Sequence, residues 1–237
     1  MIGTDFCLFG CAADDIEKAK SLFLSFTNDD ILETTKYGQV IQKNGTGSII
    51  YINGVKVAQE DNFLFSYNIT LLNSQIKKAL NRERTNVGRS AYTSRIKDIL
   101  LSCDSEEVIE ELVYDLQNYT SGDKHDELSW NDVAIYASKK LSQIDSTTTF
   151  VTAQQAIDTP SIIDDMRRKG QNPIVVSDSL VNKMDQYNDT AENGDTLTTV
   201  RQYIEDEKSK FSPTVVDISE LTLNERNIYC LLYTSDA

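Results

Sequence analysis

The chain has 237 residues, 40% of them apolar and 25% charged, with a formal net charge of −14 at pH 7. That length suits one large domain or two small ones, and with three prolines and ten glycines it is neither collagenous nor low in complexity. The acidic balance disfavours non-specific nucleic-acid binding by the chain as a whole. No apolar run approaches the ~18 residues of a membrane helix, and the N-terminus turns acidic without the basic leader of a secretory signal.

Residues 2–9 (IGTDFCLF) read as a strand. A helix is predicted from about Ala13 to Phe26, with Ile16, Ala19, Leu22, Phe23 and Phe26 on one packed face. Three β-rich stretches follow: Gly38–Gln42, Ile49–Val57 and Phe63–Ile69. Asn53-Gly54 inside the second is a hairpin signal, because both central positions of a type I′ turn need positive φ. Residues 1–70 therefore read as a mixed sheet with one packed helix. Helices are predicted over 73–80 and 90–101. Asp104 to Glu107 reads as a capping box for a helix burying Val108, Ile109, Leu112, Val113 and Leu116. Asn118–Glu127 is polar and reads as a linker.

Beyond it Ser129 is positioned to cap a helix carrying Val133, Ala137, Leu141 and Ile144. TTFVTA (148–153), a helix over Pro160–Lys169 ended by Gly170, and PIVVS (173–177) spell a β-α-β unit with parallel strands. A helix over 178–187, an acidic loop 188–195, a helix over 196–208 and a strand TVVDIS (214–219) follow. Thr222-x-x-Glu225 then reads as a capping box for a last helix. The final CLLYTSDA resembles translated sequencing adapter, so 230–237 is expected to be a non-native tail. The fold class is α/β. The expected domains are 1–117, with a helical connector, and a small α/β domain of 128–229.

Four cysteines (Cys7, Cys11, Cys103, Cys230) and one histidine form neither a disulfide framework nor a zinc pattern, and read as small buried hydrophobes in a reducing cytoplasm. Gly45-Thr46-Gly47 reads as a hairpin turn and not a phosphate loop, because a strand follows it where a phosphate loop needs a helix. His125 has acidic neighbours and no visible ligand partners. Asp164, Asp165, Asp178 and Asp185 lie in or beside the β-α-β unit, with Asp178 a helix cap. The strongest signal is basic. Residues 77–97 hold Lys77, Lys78, Arg82, Arg84, Arg89, Arg95 and Lys97 against Glu83 alone, in a chain otherwise strongly acidic. Arginine forks at Arg82 and Arg84 suit phosphate oxygens, while ordinary ion pairing to the acidic remainder is the competing account.

The succession GSIIYINGVKV, FLFSYNI, LNRERTNVGR resembles a segment of GHKL-type ATPases, the superfamily of histidine kinases, gyrase B subunits and MutL. The resemblance rests on Gly47, Ile50, Tyr51, Gly54, Val57, Phe65, Tyr67, Asn68, Leu80, Asn81, Arg82, Glu83 and Arg84, and covers about residues 1–100. Gly3-Thr4-x-Phe6 resembles that superfamily's late strand beside the nucleotide pocket. The adenine-reading Asp-x-Gly-x-Gly loop, the magnesium-binding Asn helix and the glycine-rich lid are absent from the chain. The resemblance implies a cytoplasmic fragment, truncated at both ends, of a parent that uses ATP and Mg, itself unable to hydrolyse ATP and needing no cofactor alone. It implies nucleotide-phosphate contacts by Lys56, Arg82, Arg84, Arg89 and Thr4, with no catalytic or metal-binding residue. The alternative is an interaction module that binds nucleic acid or an acidic partner through 77–97.

Overall fold

A computed structural model describes residues 7, 9–82, 87–118, 125–190, 196–210 and 217–234, of Arg82 and residues 229–234 the backbone alone. The architecture is α/β: a five-stranded mixed sheet, a two-stranded parallel sheet and ten α-helices among the described residues. The chain forms two compact units, Met1–Val200 and Arg201–Ala237.

The larger sheet contains β1 (Ile31–Thr34), β2 (Gly38–Ile41), β3 (Ser48–Ile52), β4 (Val55–Glu60) and β5 (Ser66–Ile69), in the spatial order β1-β2-β5-β3-β4. Neighbours are antiparallel except β3 and β5, which run parallel. The β3–β4 turn is the predicted one, with Asn53 at φ 49° and Gly54 at φ 78°. Alternation divides the sheet into two faces. Val40, Ile50, Ile52, Tyr67 and Ile69 join the continuous hydrophobic core. Ile41, Tyr51, Ser66 and Asn68 take the other parity. There the Tyr51 hydroxyl reaches Asp29 at 3.4 Å, and Asn68 bridges β2 and the β3–β4 turn by donating to Gln39 (2.7 Å) and accepting from the Gly54 N–H (2.9 Å).

Helices α2 (Ser74–Arg82) and α3 (Arg89–Leu100) follow the sheet, and α3 packs on β2 and β5 through Tyr92, Ile96, Ile99 and Leu100. Their approach needs Gly38. A Cβ there would sit 2.3 Å from the Asn68 carbonyl and 2.8 Å from the Ile99 Cδ1. Helix α4 (Glu106–Gln117) buries Val108, Leu112, Val113 and Leu116 as predicted, and packs on α5 (Asn131–Ile144). The same core runs on through Phe150, Val176, Leu180 and Met184 to Leu197. Strands β6 (Thr148–Thr152) and β7 (Asn172–Val176) are parallel as predicted. Two helices connect them, α6 (Ala153–Asp158), opened by a Thr152–Gln155 capping box, and α7 (Pro160–Arg168), with Gly170 at φ 80° beyond its end. Helix α8 is Asp178–Thr190. Thr199 then bridges to Phe150 in parallel, and its hydroxyl donates to Asp185 at 2.7 Å.

The second unit carries most of α9 (Val200–Lys210), a 3-10 turn at Ile218–Glu220 and α10 (Leu223–Thr234). The Thr222–Glu225 box is formed, with the Glu225 carboxylate accepting from the Thr222 N–H at 2.8 Å. Arg226 donates to the carbonyls of Ile218 and Ser219, both at 3.1 Å, and so holds the turn against the helix.

Several expectations are corrected. The first helix, α1, ends at Lys20 and buries none of its residues. Phe23 leaves it to form an antiparallel bridge with Val55, so the periodic face of 13–26 is split between a helix and a strand edge. The segment 31–34, which carries no period-2 alternation, is strand β1. Helix α4 is not opened by a box at Asp104. The Glu33 carboxylate on β1 accepts from the N–H groups of Asp104 (2.9 Å) and Ser105 (3.0 Å). Trp130, not Ser129, precedes α5, and Ser177, not Asp178, caps α8 through the Leu180 N–H. Cys7 and Cys11 are exposed free thiols, whereas Cys103 is buried as expected. Of the expected strand at 214–219, residues 217–219 are not strand and the remainder lies outside the described residues, as do most of 2–9 and of the linker.

Candidate functional site

The predicted site residues serve separate partners. Lys56 lies on β4 and its Nζ donates to the Gln59 side chain at 3.1 Å. Thr4, Glu83 and Arg84 lie outside the described residues, as does the Arg82 side chain. Arg89 opens α3 and is held in an ion-pair cluster. Its Nη2 donates to Asp126 at 2.7 Å, its Nη1 stands 3.5 Å from Glu60, and its guanidinium lies 4.6 Å from the centre of the Phe63 ring. Burial alone would raise the Asp126 carboxyl, but the Arg89 guanidinium and the Asn62 amide outweigh it and hold it below the usual range. Arg95 and Lys97 pair with Asp98 (2.9 Å) and Asp132 (3.4 Å). His125 is taken up by Asp115, whose carboxylate accepts from its backbone N–H (3.2 Å) and lies 2.9 Å from its Nδ1. Among the described residues no group of three or more His, Cys, Asp or Glu side chains is placed to hold a metal ion.

Sequence reasoning missed Glu127, which is fully buried. It sits in the 3-10 turn Asp126–Ser129 at the end of the presumed linker. Its carboxylate accepts from the Leu64 N–H at 2.8 and 3.0 Å, from the Phe65 N–H at 3.4 Å and from the Tyr67 hydroxyl at 2.9 Å. Burial pushes the carboxyl up to about 7, against the opposing pull of those donors. Burial and the adjacent carboxylate also raise the Tyr67 phenol. These bonds use the acceptor sites of Glu127 to pin the turn to the sheet, and its burial denies access to a substrate. It is a structural joint.

An open groove lies elsewhere, between β1, α4 and α5, with a volume of about 1010 Å³. Its floor is Leu32 from β1, Val113 from α4 and Leu141 from α5. Tyr114 and Ile144 also line it and are 68% and 65% exposed, high for side chains of that size. Five carboxylates surround this apolar surface: Asp30, Glu107, Glu110, Glu111 and Asp145, with no basic residue in the lining. Asp145 is held as the anion chiefly by the Thr147 hydroxyl (2.6 Å) and the Thr147 N–H (2.9 Å), which place its carboxyl below the usual range. The groove exists because α4 has two faces. One packs the core, while Glu107, Glu110, Glu111, Tyr114 and Gln117 recur at helical spacing as a second stripe. That stripe was visible in the sequence, but nothing local showed that α5 would lie beside it and form a wall.

Comparison with known proteins corrects the ATPase reading. Residues 14–106 match the family described as the Mycoplasma pneumoniae MPN635 N-terminal domain, and the match ends at the first residue of α4. The segments from Gly47 to Arg84 that carried the GHKL resemblance lie inside this match, and Gly3-Thr4-x-Phe6 lies before it. Their shared features, an Asn-Gly turn between β-rich halves and an aromatic strand, are what hairpin geometry selects in many sheets. With the resemblance falls the reading as a fragment of an ATP-binding ATPase. The alternative, nucleic-acid or acidic-partner binding through 77–97, has no support either: Arg89, Arg95 and Lys97 face carboxylates of the same chain. No solved structure gives a significant match. Two proteins of Mycoplasma pneumoniae (strain ATCC 29342 / M129 / Subtype 1), both described as uncharacterized, are similar. One is 40% identical over 42% of this chain and 40% of its own length, the other 33% identical over 51% of this chain and 36% of its own. The chain thus aligns with about two fifths of the length of these relatives, and its similarity to the MPN635 N-terminal domain is centred on the five-stranded sheet.

Proposed function

We propose that the chain is a protein-binding module that holds a segment of a partner polypeptide in the groove between β1, α4 and α5. The observation that carries this reading is the pairing of Tyr114 and Ile144, both largely exposed, over a concave apolar floor. Exposed apolar surface rimmed by charge is the usual mark of an interaction site, and covering it gains roughly 25 cal/mol per Å². The reading places the protein in the cytoplasm, which the free thiols of Cys7, Cys11 and Cys103 support. Among the described residues no helix is long and apolar enough to cross a membrane.

The test is a panel of cationic, neutral and acidic peptides, titrated against the wild-type chain and a Tyr114→Lys, Ile144→Lys double variant. Both positions are exposed, so the variant should fold. At least one peptide class should lose most of its affinity for the variant. If every peptide binds both proteins equally, or none binds either, the groove is not a binding site.

A further inference from the structure

Resting on that reading, we propose that the occupant is a cationic amphipathic helix, two to three turns long, presented by a partner protein. Three properties of the groove converge on it.

The first is charge. Asp30, Glu107, Glu110, Glu111 and Asp145 border the groove with no cation among the lining residues, so a phosphate-bearing or acidic segment is repelled and a lysine- or arginine-bearing one is drawn in. The second is the shape of the walls. The stripe Glu107, Glu110, Glu111, Tyr114, Gln117 on α4 and the pair Leu141, Ile144 on α5 are ridges at i, i+3 and i+4 spacing. The furrow between two such helices accepts the ridge of a third, whose anchors recur at the same spacing. An extended strand presents side chains with period 2 and does not interleave with them. The third is size. The lining stripe of α4 from Glu107 to Gln117 runs about 15 Å at 1.5 Å per residue, so a helix lying along it makes contact over two to three turns.

The arrangement also divides the work. Leucine- or isoleucine-type anchors on one face of the guest cover Leu32, Val113, Leu141 and Ile144, which supplies affinity. Lysine or arginine side chains flanking those anchors reach the carboxylates, which sets orientation and rejects anionic competitors. A small polyamine satisfies the rim and leaves the apolar floor wet, so it is a poor occupant.

The experiment uses a fluorescein-labelled peptide of about twelve residues, with leucines at i, i+3, i+4 and i+7 and lysines flanking them. A scrambled peptide of identical composition is titrated beside it. The proteins are the wild-type chain, a Glu110→Lys, Glu111→Lys variant and a control, Asp158→Lys, Asp164→Lys, which alters net charge equally at two exposed sites outside the groove lining. Anisotropy should show the ordered peptide binding the wild type and the control alike, binding the groove variant about tenfold more weakly, and binding more weakly as salt rises. The scrambled peptide should bind about tenfold more weakly than the ordered one. Equal binding of the two peptides overturns the helix. Equal weakening by the two variants means net charge alone is read, and also overturns the proposal. Groove-dependent binding of neutral or acidic peptides in preference to the cationic one overturns it while leaving the binding-module reading standing. If the Tyr114→Lys, Ile144→Lys variant binds every peptide as the wild type does, both readings fall together.

Discussion

Replacing Glu127 by glutamine should abolish a specific part of the pH dependence of folding. In the native state burial raises the carboxyl from 4.5 to about 7. The native state therefore binds more protons than the unfolded chain between those values, and stability falls as pH rises across them. The contribution is complete below about pH 4.5 and gone once pH has passed well above 7. A displacement of two to three pKa units corresponds to about 3 kcal/mol, a large share of the roughly 5–15 kcal/mol that holds a domain together. Glutamine keeps the side chain's size and one acceptor at the Oε1 position, but its amide nitrogen in the place of Oε2 meets the Leu64 N–H as a donor facing a donor, so the variant starts less stable at acid pH. The assay is urea unfolding of both proteins at intervals from pH 5 to 8.5. The difference between their free energies removes titrations common to the two. The wild type should lose about 2.5 kcal/mol relative to the variant across that interval. Parallel profiles would show that Glu127 does not titrate in this range and that its donors outweigh its burial.

Tyr67→Phe removes one donor to the Glu127 anion, so the fall in stability should continue about one pH unit higher, readable in the same titration. Gly38→Ala should cost about 3 kcal/mol or block folding, because the new Cβ meets the Asn68 carbonyl and Ile99; Gly47→Ala meets the flexible Gln59 side chain, nearest at its Nε2, and should cost under about 1 kcal/mol in the same urea experiment. Glu33→Gln weakens the charge-assisted cap on α4 and should cost about 1 kcal/mol, a melting shift of roughly 2–4 °C, smaller at high salt.

What could be read in the sequence was whatever local chemistry dictates. The Asn53-Gly54 hairpin and the inward stripe of α4 each follow from turn stereochemistry or periodicity within a dozen residues, and the parallel β6 and β7 from the order strand, helix, strand over about thirty. What escaped depends on partners far along the chain. Glu127 resembled linker because its environment comes from Leu64, Phe65 and Tyr67, about sixty residues earlier. Glu33 was unremarkable until the start of α4 was placed over it. The face of 13–26 was periodic, yet periodicity does not state that a helix stops at Lys20 and hands Phe23 to a strand edge. The basic run was conspicuous as composition and ordinary in space, since its described Arg89, Arg95 and Lys97 meet carboxylates from neighbouring elements or the next helical turn. The groove had half its signal in the sequence, the second stripe of α4, and lacked the other wall.

The position of β5 has a consequence for how the molecule is made. It is the last of the five strands along the chain and the middle one in space, with all four residues buried and β2 and β3 on either side. Until residue 69 has left the ribosome, β1–β2 and β3–β4 can exist only as separate hairpins, and two-stranded hairpins are marginal alone. Each would expose the unpaired edge that β5 later fills, and an open edge invites pairing with another chain. Assembly of this sheet thus waits on its centre, and a nascent chain halted between residues 60 and 66 would be at its most prone to associate with its neighbours.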